Sequence, residues 1–86
     1  MKPYALNVIN YLQGHATESI QYFELSQFLT KMYNVAQMTD YDISHWPPTG
    51  QIILAGIKDT NIQPDIQKVI KDLEDMENGK LIKDLL

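Results

Sequence analysis

Apolar positions in the first part of the chain recur with the period of an α-helix. Leu6, Ile9 and Leu12 share one face at helical spacing, which predicts a first helix over residues 3–13. The proline at its start suits the first helical position, where the missing N–H is not needed. Gly14 suits the left-handed residue that often follows the end of a helix.

A second and broader apolar band follows after a short loop, so the two helices are predicted to form an antiparallel hairpin. Thr17 is a suitable N-cap residue, and the band predicts a helix over residues 18–36. A band this wide is typical of a helix at the centre of a small core. Its members are Ile20, Tyr22, Phe23, Leu25, Phe28, Leu29, Met32 and Ala36.

The pattern changes in the middle of the chain. Tyr41 and Ile43 alternate with polar residues over positions 41–46, and residues 51–57 form an apolar run rich in β-branched side chains. The Pro-Pro-Thr-Gly cluster between them predicts a turn, and therefore a β-hairpin. The alternative is a short buried helix over residues 48–58, because periodicity does not separate strand from helix in so short a run.

The last third of the chain returns to a helical period. Pro64 and Asp65 predict the start of a further helix, since proline suits the first turn and the helix dipole favours a negative charge there. Gly79 predicts its end, and residues 80–86 can add a short final turn. The apolar stripe of this helix consists of Ile66, Val69, Ile70, Leu73 and Met76.

These elements predict one small globular domain over residues 1–86 with a mostly helical α+β fold. It has two N-terminal helices, one β-hairpin and one or two C-terminal helices. The alternative is an all-α bundle of four or five short helices. The expected core consists of Leu6, Ile9, Leu12, Phe23, Leu25, Leu29, Met32, Ile53, Ile66, Val69, Ile70 and Leu73.

Composition narrows the possible functions. The 86 residues include no cysteine and no arginine, so all seven basic side chains are lysines. The chain therefore lacks a thiolate nucleophile, a cysteine ligand for zinc and the bidentate guanidinium that reads phosphate or guanine. It also has no glycine-rich phosphate loop and no nucleophile motif. We predict a protein that is not an enzyme and that uses no cofactor.

The formal net charge of -4 arises from residues 39–86, because the charges of residues 1–38 sum to zero. An acidic domain repels phosphate backbones, which disfavours nucleic acid as a partner. No apolar run approaches the ~20 residues of a membrane-spanning helix, so no membrane contact is expected. The expected location is the cytoplasm, and the many Ile, Asn and Lys residues suggest a low-GC bacterium or a phage.

Two groups of residues could carry chemistry. Asp40, Asp42 and His45 could form a weak divalent-metal site, but Asp-x-Asp pairs are also ordinary turn chemistry, and we predict no metal site. His15 could act as a general base or a ligand. No recognised motif places a Ser, Cys or Asp with it, so we interpret it as a loop residue that can bind the carbonyls at the end of the first helix.

A protein-binding surface is the favoured interpretation. Trp46 stands beside two prolines near Tyr41, and tryptophan is over-represented among the residues that dominate binding energy. Asp72 and Asp75 belong to an acidic cluster on the C-terminal helix. We expect this cluster to be solvated and able to dock a basic partner. Lys68 and Asp72, like Lys71 and Asp75, stand four residues apart and are predicted to pair.

We therefore expect a non-catalytic interaction module, such as a small adaptor, inhibitor or assembly factor. One alternative is a structural homo-oligomer joined through the hairpin edge or the C-terminal apolar turn. A further alternative is a DNA-binding regulator, because residues 24–29 resemble the first helix of a helix-turn-helix. Residues 33–44, where a recognition helix would follow, contain two aspartates and neither Arg nor Lys, which disfavours this alternative.

Overall fold

The structure is a computed structural model that describes residues 1–34 and 50–77. Within these ranges the chain forms four α-helices and no strand. They are α1 (Pro3–Gly14), α2 (Ile20–Met32), α3 (Gly50–Ala55) and α4 (Gln63–Glu77). α1 packs against both α2 and α4, and α3 packs against α4 and against α2.

The end of α1 differs from its prediction. Gly14 is the last helical residue, and its φ lies outside the left-handed range, so its predicted left-handed role is wrong. His15 is the C-cap residue, and its backbone N–H donates to the carbonyl oxygens of Tyr11 at 3.1 Å and Leu12 at 3.3 Å. Because these bonds continue the helical pattern, the helix ends without a residue of positive φ.

α2 begins later and ends earlier than predicted. Ser19, and not Thr17, is the N-cap residue, since its hydroxyl oxygen accepts the backbone N–H of Gln21 at 3.2 Å. Tyr33 is the C-cap residue, with φ -86° and ψ 0°, so the helix does not continue toward residue 36. Residues 35 and 36 lie outside the described part of the chain.

The predicted β-hairpin is wrong, because residues 50–55 form α3. In a strand, Ile52 and Leu54 would point to the same side. In the structure Ile52 is 72% exposed and Leu54 is fully buried, as a helical turn requires. The backbone N–H of Gly56 donates to the carbonyl of Ile52 at 3.0 Å. Tertiary packing thus overrides the β propensity of this run, and the all-α alternative fits the described helices.

α4 begins as predicted, with Pro64 as its second residue and Asp65 in its first turn. The preceding loop is organised by Asp59, whose side chain accepts the backbone N–H of Asn61 at 3.0 Å. The predicted helix end at Gly79, the final turn over residues 80–86 and the first hairpin strand over residues 41–46 lie outside the described residues.

Side chains from all four helices form the core. Most predicted core positions are confirmed as buried, and Ile53 and Ile70 pack against the core while partly buried. Leu6 and Phe23 are exposed, so their assignment to the core is wrong. The buried apolar residues are Ala5, Val8, Ile9, Leu12, Leu25, Leu29, Met32, Tyr33, Leu54, Ile57, Ile66, Val69 and Leu73.

Candidate binding surface

α1 carries no charged side chain, although one side of it faces solvent. Its exposed positions include Leu6, Asn10 and Gln13, which stand at i, i+4 and i+7 and therefore form one stripe. Leu6 is 47% exposed. A surface helix normally places charged residues on its solvent side. α4, for comparison, carries seven charged residues over its length.

α2 adds a second exposed stripe, which carries the exposed carboxylate of Glu24 beside its apolar side chains. Ile20, Phe23 and Gln27 stand at i, i+3 and i+7 and are all exposed. Ile20 is 67% exposed and Phe23 is 46% exposed. The opposite side of the helix is buried through Leu25 and Leu29. Two large apolar side chains one turn apart are thus left in contact with water.

α4 leaves part of α1 open to solvent. Tyr4 and Asn7 hydrogen-bond to α4, so α4 covers one flank of α1. Helical spacing puts the Leu6 stripe away from that flank, and the α2 stripe lies on the side of α2 that faces away from the core. We call this surface the outer face. It consists of Leu6, Asn10, Gln13, Ile20, Phe23 and Gln27.

Asp72 is not part of the solvated surface on which we predicted it, because it is only 8% exposed. Its carboxylate accepts the hydroxyl of Tyr33 at 2.6 Å and also the hydroxyl of Tyr4. The two tyrosine rings meet edge to face, with centroids 6.4 Å apart and an interplanar angle of 89°. This polar cluster joins α1, the end of α2 and α4, which fits a structural role.

The phenols of this cluster are held in their neutral form. Burial, followed by the hydrogen bond to the Asp72 carboxylate, raises the pKa of Tyr4 to about 12. The same causes raise the pKa of Tyr33. The ammonium groups of Lys2 and Lys68 lie 5.8 Å and 5.6 Å from the centre of the Tyr4 ring, within the range of cation–π attraction. The Asp72 carboxylate therefore accepts two phenol hydroxyls, and one of those two rings also lies beside two ammonium groups.

Of the other three predicted binding residues, only Asp75 lies within the described part of the chain. Asp75 pairs with Lys71 at 3.7 Å on the outside of α4, as its spacing predicted. Tyr41 and Trp46 lie outside the described residues, so their role in binding stays a prediction. The predicted ion pair of Lys68 with Asp72 is not present among the described residues, because the Asp72 carboxylate is buried against Tyr4 and Tyr33 and the Lys68 ammonium lies over the Tyr4 ring. The possible metal ligands Asp40, Asp42 and His45 also lie outside the described residues.

His15 lies directly after α1, in the connection that leads to α2. Its Nδ1 atom is 3.0 Å from a carboxylate oxygen of Glu18, and its ring stacks on Tyr11 with centroids 4.3 Å apart. Burial, followed by the negative charge of Asp59, raises the pKa of Tyr11. Within the described ranges no three His, Asp or Glu side chains are placed to hold a metal ion. The contacts of His15 are those of a residue that caps and packs a helix end.

The sequence interpretation missed the exposure of the apolar residues in the outer face. The signal was present in the helical spacing, since Phe23 is about 160° around the helix from Leu25 and about 120° from Leu29. A wide apolar band was interpreted as a wide core, although one edge of it faces solvent. The absence of charge from α1 was a second signal.

No helix in the described ranges combines the length and the apolar character that a bilayer crossing requires. No family model matches the chain, and comparisons with curated proteins and with solved structures give no significant match.

Proposed function

We propose that this protein is a non-catalytic protein-binding module that docks its partner through the outer face. The observation that carries this proposal is the pair of exposed apolar side chains, Ile20 and Phe23, one turn apart on a helix whose other side is buried. Apolar side chains of this size lose contact with water favourably when a partner covers them. Exposed apolar surface with a polar border is characteristic of interaction sites.

The border of the outer face supports the same function. Asn10, Gln13 and Gln27 are uncharged amides, which can each donate and accept hydrogen bonds. The centres of protein interfaces are depleted in charged residues and keep polar groups at the rim. Tyr41, Trp46 and Asp75 remain proposed contributors to partner binding, whereas Asp72 is proposed to act through the fold.

Photocrosslinking tests this function directly. A photoreactive phenylalanine analogue at position 23 should give protein adducts on irradiation in cell extract, and the same adduct should form again from purified components. The matched control places the analogue at position 52, since Ile52 is equally apolar and 72% exposed but lies on α3. Adducts at position 23 alone are expected. Equal adducts at both positions, or none at position 23, would contradict the proposal.

A further inference from the structure

We propose that Tyr4 and Tyr33 form a binding site for a small carboxylate, and that the side chain of Asp72 is the built-in ligand that occupies it. The two hydroxyls come from α1 and from the C-cap of α2, whereas the carboxylate comes from α4. The outer face contains none of these three residues. The site is therefore independent of the proposed function.

Both hydroxyls donate to the same carboxylate oxygen. Oδ2 of Asp72 accepts the Tyr33 hydroxyl at 2.6 Å and also accepts the Tyr4 hydroxyl. Two donors aimed at one oxygen are the arrangement with which proteins hold an oxyanion. Burial raises the pKa of both phenols, so both keep their protons at neutral pH and remain donors.

The surroundings of the site also favour an anion. The ammonium groups of Lys2 and Lys68 lie 5.8 Å and 5.6 Å from the centre of the Tyr4 ring, which places two positive charges beside one of the donor rings. Asp72 is only 8% exposed, and the attraction between opposite charges is stronger where water is largely excluded. The site thus combines two neutral donors with positive charge nearby.

Contacts that do not involve the carboxylate hold the two phenols. The rings of Tyr4 and Tyr33 meet edge to face, with centroids 6.4 Å apart. The backbone N–H of Tyr33 donates to the carbonyl of Leu29 at 3.0 Å, and α1 packs directly against α2. We therefore expect the two donors to stay in place when the carboxylate is removed.

The size of the removed group selects the ligand for a test. Asp72→Ala removes the carboxylate and keeps Cβ, so it leaves a space of the size of formate. Acetate carries an additional methyl group, which crowds that Cβ. In wild type the chain itself holds the Asp72 carboxylate at a high effective concentration, so added formate should not displace it.

The measurement is thermal unfolding of the full chain by circular dichroism, in sodium formate and in sodium chloride of equal ionic strength. Ligand linkage predicts that the melting temperature of Asp72→Ala rises by roughly 6–11 °C at a formate concentration tenfold above the Kd. A ligand of three heavy atoms binds weakly, so formate is titrated to about 0.5 M. Acetate should have a smaller effect.

Asp75→Ala is the matched control, because it removes a carboxylate from the same helix that pairs with Lys71 at 3.7 Å and not with the phenols. This variant and wild type should melt alike in the two salts. Asp72→Asn, which fills the space with an amide, should also show no effect specific to formate. Adding Tyr33→Phe to Asp72→Ala should abolish the response.

Two results would overturn the proposal. One is an equal response of Asp72→Ala to formate and to chloride, and the other is a formate response that survives the loss of the Tyr33 hydroxyl. If Asp72→Ala is unfolded in dilute buffer, the same comparison is made in sucrose, which stabilises folded states without supplying a carboxylate. A variant that formate then stabilises no more than chloride counts against the site.

Discussion

Removal of the Tyr33 hydroxyl is the most direct test of the polar cluster around Asp72. Tyr33→Phe keeps the ring, which is 2% exposed, and leaves no large cavity. It deletes the 2.6 Å hydrogen bond to a carboxylate that is itself only 8% exposed. A hydrogen bond to a charged group contributes about 1.5–3 kcal/mol, and the loss is greatest when the remaining group stays buried. Because Tyr4 still donates to Asp72, we expect a loss of about 2 kcal/mol.

Urea unfolding followed by circular dichroism measures this loss. Wild type and variant should show the same dependence of unfolding free energy on urea, because both expose the same surface. The midpoint should fall, and in thermal unfolding the melting temperature should drop by roughly 8–16 °C, at ~4–8 °C for each kcal/mol in a domain of this size.

Tyr22→Phe is the matched control for this prediction. It makes the same chemical change on the same helix, and the Tyr22 hydroxyl has no hydrogen bond within the described ranges. We expect it to change the free energy of unfolding by less than about 0.5 kcal/mol. If the Tyr33 and Tyr22 variants unfold alike, the carboxylate cluster does not stabilise the fold and the reasoning above is refuted.

Three further predictions concern the core, a helix end and the tyrosines. Leu29→Asp should abolish cooperative unfolding, because Leu29 is fully buried and an unpaired buried charge costs several kcal/mol. The control variant Gln27→Asp changes the exposed side of the same helix and should fold normally. Circular dichroism that shows equal melting of the two variants would mean that the buried side of α2 is misassigned. Gly14→Ala should raise the free energy of unfolding in urea by about 0.5–1 kcal/mol, since Gly14 is helical and a Cβ there meets no atom within 4 Å. A lower free energy of unfolding would show that this position requires glycine. Stability should fall as the pH rises from the ordinary tyrosine pKa near ~10 toward the folded pKa of Tyr4 at about 12, because only the unfolded state releases the proton in that window. Tyr33, whose pKa is also raised, contributes in the same direction, so Tyr4→Phe should reduce this decline without removing it. An unchanged slope in a series of urea titrations would contradict the assignment.

The local pattern of apolar residues was sufficient to predict the long helices, but it was not sufficient to predict the structure of residues 50–55. The bounds of α1 and the start of α4 follow from apolar spacing and from proline positions, which are local signals. Ile52 and Leu54 belong to a β-branched run, yet they separate into exposed and buried positions because α3 packs against α4 and α2. That contact is tertiary, and residue propensity alone does not contain it.

The same limit applies to the candidate surface. Phe23 and Leu6 are apolar and lie next to core positions, so hydrophobicity alone places them in the core. Their exposure to solvent becomes visible only in the tertiary packing, in which α4 covers a different flank of α1. Asp72 lies among acidic residues that face solvent, and its burial depends on tyrosines that are 39 and 68 positions away in the chain.

Those separations carry a consequence for the order in which the chain folds. α1 and α2 are joined by a short turn, so they can meet after closing a small loop, which costs little chain entropy. The contacts of Asp72 close loops of 39 and 68 residues. Contacts between such distant residues are expected to form late, because the loss of chain entropy on loop closure precedes the gain from the contact. α4 is also synthesised after α1 and α2. We therefore expect the contacts of the Asp72 carboxylate with the two phenols to form late in folding and to align three helices together. A substitution there should slow folding less than it speeds unfolding.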